Sequence, residues 1–197
     1  MWLSIGAICL LSAGSFAVYS YFARYLEVVF RLDGPQIGNM LLLFGLAGIA
    51  GNYVAGLALS RSLVKTMFIY LPSLAMVFCL LYLTKGHLPW QAAVIAFWGL
   101  LHGAGFVIAQ VWITAPAWEA PELASSLTIS FSNLGIAAGA ALGGLVIDKF
   151  GIKQVVWAAW GLLSLSFLLV IIQHLATKKI PARKPEKSFS DKKYSCG

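Results

Sequence analysis

The sequence predicts an all-α membrane protein whose six transmembrane helices form two inverted three-helix repeats. Three observations lead there: a composition that cannot coat a soluble domain, six apolar runs of bilayer length, and a self-match at an offset of 88 residues. Of the 197 residues, 60% are hydrophobic and 11% are charged. A soluble domain carries about 25% charged residues to wet its surface. A span takes about 20 apolar residues, so the length allows about six or seven with short loops. Lipid is therefore the solvent and the bilayer the first partner. A soluble enzyme and a nucleic-acid reader are excluded, and no nucleic acid is expected as a ligand.

The first run covers Trp2 to Tyr21, with a continuation toward Val29. It lacks the basic start of a signal peptide and meets aromatic residues where a small-residue cleavage site would stand, so it reads as a span. The second, Ile37 to Leu59, opens after the breakers Asp33-Gly34-Pro35 and closes at Ser60 to Lys65. The third is Met67 to Leu83, closed by Gly86 to Pro89, and the fourth is Trp90 to Thr114, closed by Pro116 to Pro121. The fifth is Ser125 to Ile147. Pro121-Glu122 reads as its first turn, with the carboxylate at the positive end of the helix dipole. Asp148 to Lys153 leads to the sixth, Val155 to Leu175. Lipid satisfies no backbone group, so each run must be a helix, and none alternates like a membrane-barrel strand.

Residues 1–175 thus form the membrane domain and 176–197 a basic tail. The tail holds Lys178, Lys179, Arg183, Lys184, Lys187, Lys192 and Lys193, half of the 14 basic residues. Such a tail is a cytoplasmic signal, with binding to anionic headgroups as its second reading. Six spans then place both termini in the cytoplasm. The inner side holds Arg61, Lys65 and the tail, and the outer side Arg24, Arg31, Lys85, Lys149 and Lys153. One inner loop carries Glu119 and Glu122, but carboxylates weigh little in this bias. Cys9 and Cys79 lie in apolar runs and Cys196 in the tail, with neither disulfide nor metal spacing. No metal, nucleotide or other cofactor is expected.

Phe44 to Lys65 matches Ser132 to Lys153 without a gap. Identities fall at Leu46/Leu134, Ala50/Ala138, Gly51/Gly139, Gly56/Gly144, Leu57/Leu145 and Lys65/Lys153. Ala47, Gly51 and Ala55 coincide with Gly135, Gly139 and Gly143, and a spacing of four sets each trio on one helix face where backbones can approach. An offset of 88 spans three helices, so the repeats run about 1–88 and 89–175 with the second inverted. Inverted repeats around a midplane site are a transporter architecture.

These residues resemble the major facilitator superfamily, and more closely its bacterial drug and sugar proton antiporters of the arabinose-efflux type. The resemblance covers about Ser15 to Leu175 and is to the C-terminal six-helix half of a twelve-helix carrier. Gly56 to Arg61 followed by Lys65 is similar to the family's loop motif, with Ser60 where an acidic residue is usual. Ser132 to Gly135, Gly139, Gly143-Gly144 and Asp148 to Gly151 are similar to its eleventh helix and the loop after it. Gln110-Val111-Trp112 and Pro121-Glu122 resemble the end of the tenth helix and its loop. Tyr19 to Leu26 resembles the seventh helix, with Arg24 where many members have proline. The resemblance implies a substrate cavity between two six-helix halves in a bacterial inner membrane.

Few polar residues lie at membrane depth, where a titratable group is costly and marks a functional site by default. His102, near the middle of the fourth span, either couples protons or bonds a neighbouring helix as a neutral imidazole. Gln110, two turns on along the same face, lines the same cavity wall. Asn52 and Asn133, on the paired second and fifth spans, either bind substrate or join helices. Tyr21 is the expected cavity contact at the end of the first span, and Tyr25 an interfacial anchor. Arg24 and Glu27, at i and i+3, are expected as an exposed pair. Gly56, Arg61, Gly144, Asp148 and Gly151 are the loop-motif positions, where charges cap helix ends and latch one conformation.

The expected function is proton-coupled efflux of a small molecule, sugar or drug-like, with His102 as the only mid-membrane group able to trade a proton. One half supplies one cavity wall, so the chain works as a homodimer, joins a second six-helix half, or is a truncated product. Truncation is the leading expectation, because Met1 stands directly at a span. The rivals are a non-transporting scaffold or assembly subunit, and an intramembrane protease using His102 with Ser126 or Ser130. The latter lacks the glycine-serine-glycine setting of such a nucleophile, so no catalytic residue is assigned.

Overall fold

The computed structural model describes residues 2–84, 86–115 and 120–178. Lys85, Glu119 and the tail from Lys179 onward, counted above for charge bias, lie outside them. The helices are α1 (Trp2–Tyr19), α2 (Phe22–Val28), α3 (Gly34–Arg61), α4 (Leu63–Leu83), α5 (Leu88–Thr114), α6 (Pro121–Phe150) and α7 (Val155–Lys178), with a 3-10 turn at Ile152–Gln154 before α7. Among the described residues six helices are long and apolar enough to cross a membrane. The short α2 is the seventh.

Each helix end has a local cause. The continuation of the first run toward Val29 is broken: α1 stops at Tyr19, Tyr21 N–H donates to the Val18 carbonyl at 3.1 Å, and α2 restarts at Phe22. This break turns Tyr25 inward. Its ring is 1% exposed and its hydroxyl donates to the Leu81 carbonyl at 3.0 Å, so Tyr25 ties α2 to the end of α4 instead of anchoring at the interface. At α3, Asp33 Oδ1 accepts from Gln36 N–H at 2.9 Å while Gln36 Oε1 accepts from Asp33 N–H at 3.2 Å, a reciprocal capping box with Pro35 in the first turn. The cap starts α3 three residues before its apolar run. Ser62 alone separates α3 from α4, and its Oγ accepts from Lys65 N–H at 3.4 Å. Gly151 ends α6 at φ +88°, ψ 159°, a region open in practice only to glycine. Its 28 residues make α3 about 42 Å long against a hydrocarbon core of about 30 Å, so it tilts or projects.

Packing follows the repeat. The two most extensive contacts are α3 on α5 and α1 on α6, which the 88-residue offset exchanges for one another. Both are backbone approaches. A Cβ on Gly51 would overlap the Leu100 carbonyl, one on Gly99 that of Phe44, and one on Gly103 that of Gly48. In the other pair, Gly135, Gly139 and Gly143 face the carbonyls of Cys9, Ala13 and Ala17. Contacts of α7 with α1 and of α4 with α5 are again exchanged by the repeat. Ser166 Oγ donates to the Ala7 carbonyl at 2.7 Å, and Trp160 Nε1 to that of Ala75 at 2.9 Å, fixing α7. On their far sides α3 and α6 expose Leu42, Leu46, Ile49 and Tyr53, and Leu134, Leu142 and Leu145.

Gly139→Val drives a side chain into the Ala13 carbonyl and is expected to cost roughly 1–3 kcal/mol of stability or more. Gly45→Ala, where a Cβ meets open space, is expected to stay within about 0.5 kcal/mol. Loss of helicity on titrating mixed micelles with dodecyl sulfate measures both, and equal losses would remove the packing account.

Candidate functional site

The pairing of α1 with α6 and of α3 with α5 leaves a cavity of about 170 Å³ between α1, α5 and α6, closed on one side by Tyr70 of α4. His102, Gln110 and Asn133 all line it. His102 sits in a cage of rings. Tyr19 stacks on it at 4.6 Å and 21° between planes, with Phe44 at 5.3 Å, Phe16 at 5.4 Å and Phe106 at 5.6 Å. No hydrogen bond to its nitrogens is present among the described residues, so the cage holds the imidazole by its faces and edge. Trp98 backs the cage, packed edge-on against Phe22, Phe44 and Phe78, with its indole N–H buried and without a hydrogen-bond partner.

The opposite end of the cavity is polar but uncharged. Gln110 Nε2 donates to Ser125 Oγ at 2.7 Å, joining α5 to α6 and holding the amide in place. Ser12 and Ser15 of α1 and Thr128 and Ser132 of α6 add hydroxyls to the wall. The Thr128 hydroxyl already donates to the Ala124 carbonyl at 2.7 Å, so it offers only lone pairs. Tyr70 is 4% exposed and its hydroxyl lies against Gly105, where a Cβ would overlap it. Among the described residues no Asp, Glu, Lys or Arg lines the cavity. The arrangement suits a neutral solute with one flat face for the rings and polar edges for the hydroxyls and amides.

Other expected positions lie elsewhere. Tyr21 does not face the cavity: its hydroxyl donates to the Ala140 carbonyl at 2.9 Å, and the ring fills the space left by Gly143 and Gly144. Asn52 is exposed on α3, away from the cavity. Gly56 is exposed with open space around it. Arg61 ends α3 at the mouth of a second groove. Asp148 is exposed in the last turn of α6 and forms no ion pair among the described residues. Arg24 and Glu27 do pair, at 2.8 Å and largely exposed. Ser126 and Ser130 stay outside the cavity that holds His102, the Ser126 hydroxyl donating to the Glu122 carbonyl.

Sequence reading passed over Tyr19, Phe16, Phe106, Tyr70 and the hydroxyls. Aromatic residues in an apolar run carry no mark of which one turns inward. The hydroxyls carried one: Ser125, Thr128 and Ser132 recur at helical spacing and draw a polar line down one face of the fifth span.

The chain is 33% identical over 167 residues to "Purine ribonucleoside efflux pump NepI" of Salmonella paratyphi B, covering 83% of this chain and 41% of the relative. It is 29% identical over 170 residues to "Probable sugar efflux transporter" of Helicobacter pylori, with 83% and 42% covered. It is also 29% identical over 172 residues to "Transcription regulatory protein OpdE" of Pseudomonas aeruginosa, with 86% and 42% covered. The chain spans about two-fifths of the length of these curated relatives. The family model for the Major Facilitator Superfamily matches residues 3–194. With that match across six membrane-length helices, the chain belongs to the Major Facilitator Superfamily.

Proposed function

We propose that the chain is one six-helix half of an efflux carrier and that the His102 cavity is its share of the substrate site. The observation that carries this reading is the cavity itself, which joins a ring cage to a neutral hydrogen-bonding wall at the centre of the repeat. Its volume, about 170 Å³, falls below the about 300 Å³ at the small end of ligand pockets. A facing wall is therefore required. The exposed apolar sides of α3 and α6 are where a second six-helix half, or a second copy of this chain, would sit. The substrate class is a neutral polar solute with a flat apolar face, and the names of the relatives point to purine ribonucleosides and sugars. The repeats at about 1–88 and 89–175 are the units that rock, residues 176–197 face the cytoplasm with the N-terminus, and the membrane is the bacterial inner membrane.

Protons are the proposed coupling ion. Among the described cavity side chains the imidazole is the one base able to take up and release a proton. Its lack of a protein hydrogen bond leaves both nitrogens for a proton or a substrate. This is transport chemistry, with no bond made or broken in the solute.

Binding of inosine and arabinose to the purified chain, followed by tryptophan fluorescence, tests the site. Gln110→Ala and Asn133→Ala are each expected to weaken the bound solute by up to about tenfold, the worth of one hydrogen bond. Unchanged affinity in the double variant would place the site elsewhere. Proteoliposomes with and without a pH gradient test the coupling. His102→Phe keeps a ring in the cage and removes the proton site, so it is expected to abolish gradient-driven flux while substrate exchange persists. Intact gradient-driven flux would end the coupling role, and wild-type chain that moves no solute in any arm would end the reading in which copies of this chain transport by themselves.

A further inference from the structure

A second concavity, about 350 Å³, runs between α3, α4 and α5. Ala55, Ala58, Ile69, Leu101, Ala104 and Ile108 make its length apolar. Its mouth is basic. Because Ser62 alone joins α3 to α4, Arg61 and Lys65 flank one tight turn, and both are exposed. Among the described residues no carboxylate lines the groove and neither cation forms an ion pair. Lys65 also lies in the first turn of α4, where the helix dipole is positive and disfavours a cation. Among the described residues, two cations and the positive end of α4 therefore converge at one end of an apolar trough with no carboxylate beside them, and only the last turn of α3, next to Arg61, offsets them.

We infer that this groove binds an anionic phospholipid, with the phosphate between Arg61 and Lys65 and an acyl chain along the trough. A small free anion would satisfy the cations and leave the trough empty. A zwitterionic lipid would fill the trough but bring its own ammonium toward Arg61 and Lys65. An anionic phospholipid matches both parts, as basic recesses between membrane helices do for acidic headgroups. The site is separate from the His102 cavity, although Tyr70 lines both.

The purified full chain in neutral detergent, given phosphatidylglycerol and phosphatidylcholine with the same acyl chains, reports the site by native mass spectrometry of retained lipid. Phosphatidylglycerol is expected to be retained over phosphatidylcholine on the order of tenfold. Arg61→Gln with Lys65→Gln, both exposed, is expected to bring the ratio to about one. Ala58→Phe, which blocks the trough, and Ile69→Ser, which makes its exposed wall polar, are each expected to lower retention of both lipids. A chain whose tail basic residues from Lys179 to Lys193 are glutamine is expected to keep the preference. Equal retention of the two lipids by the wild-type chain overturns the assignment. So does a preference that survives Arg61→Gln/Lys65→Gln and vanishes with the tail charges. Displacement of phosphatidylglycerol by inorganic phosphate alone, or full retention in both trough variants, overturns the lipid in favour of a free-anion site.

Discussion

Backbone-to-backbone contact between helix pairs is the constraint on which the rest of this structure depends. Lipid tails are as apolar as leucine, so no hydrophobic force drives one span against another; close packing and hydrogen bonds must do it. Glycines at intervals of four supply that packing twice. Gly51, Gly99 and Gly103 join α3 to α5, and Gly135, Gly139 and Gly143 join α6 to α1. The two seams are exchanged by the 88-residue offset, so the same packing device is used twice in one bundle. The seams also fix what stays uncovered. They hold α3 and α6 by one side only, leave their other sides apolar and exposed, and set the cavity where α1, α5 and α6 meet.

The chemistry of that cavity follows from its depth. A fixed ion at membrane depth is expensive without a partner, and among the described residues none is present in the lining. Binding there must come from ring stacking and neutral hydrogen bonds, each worth only about 0.5–1.5 kcal/mol. Such interactions sum to modest affinity. Tyr19 and Phe44 of the cage lie on α1 and α3, which belong to the first repeat, and His102 lies on α5 of the second. The cage therefore draws on helices from both members of the 88-residue repeat.

The spans were legible because an uncharged apolar run of bilayer length has no place on a water-facing surface, and the repeat because small residues had to recur for the seams to form. Helix ends were less legible. Apolar runs mark where lipid begins, whereas caps such as Asp33 with Gln36 and Ser62 with Lys65 mark where helices begin, several residues earlier. Within the site, His102, Gln110 and Asn133 were found because polar residues at membrane depth are rare. Asn52 and Tyr21 satisfied the same test but lie elsewhere, since residue type does not fix the rotation of a helix. Tyr21 in particular is drawn away by the space over Gly143 and Gly144, a pocket made by another helix and invisible in its own run. Tyr25 was missed for a related reason: the break after Tyr19 reverses the side it presents.

The repeat is most informative where it fails. Lys65 and Lys153 are equivalent at the 88-residue offset, yet the corners that carry them are built differently. After α3 the chain turns within Ser62 and resumes as α4, so Arg61 and Lys65 stay together at the end of an apolar groove. After α6 the chain turns at Gly151, whose positive φ opens the corner and admits a 3-10 turn before α7. That detour carries the Lys153 ammonium over the Tyr82 ring, 4.4 Å from its centroid, where the π face partners the cation. One corner thus sets its lysine against a ring, and among the described residues the other gives Arg61 and Lys65 no ion-pair partner.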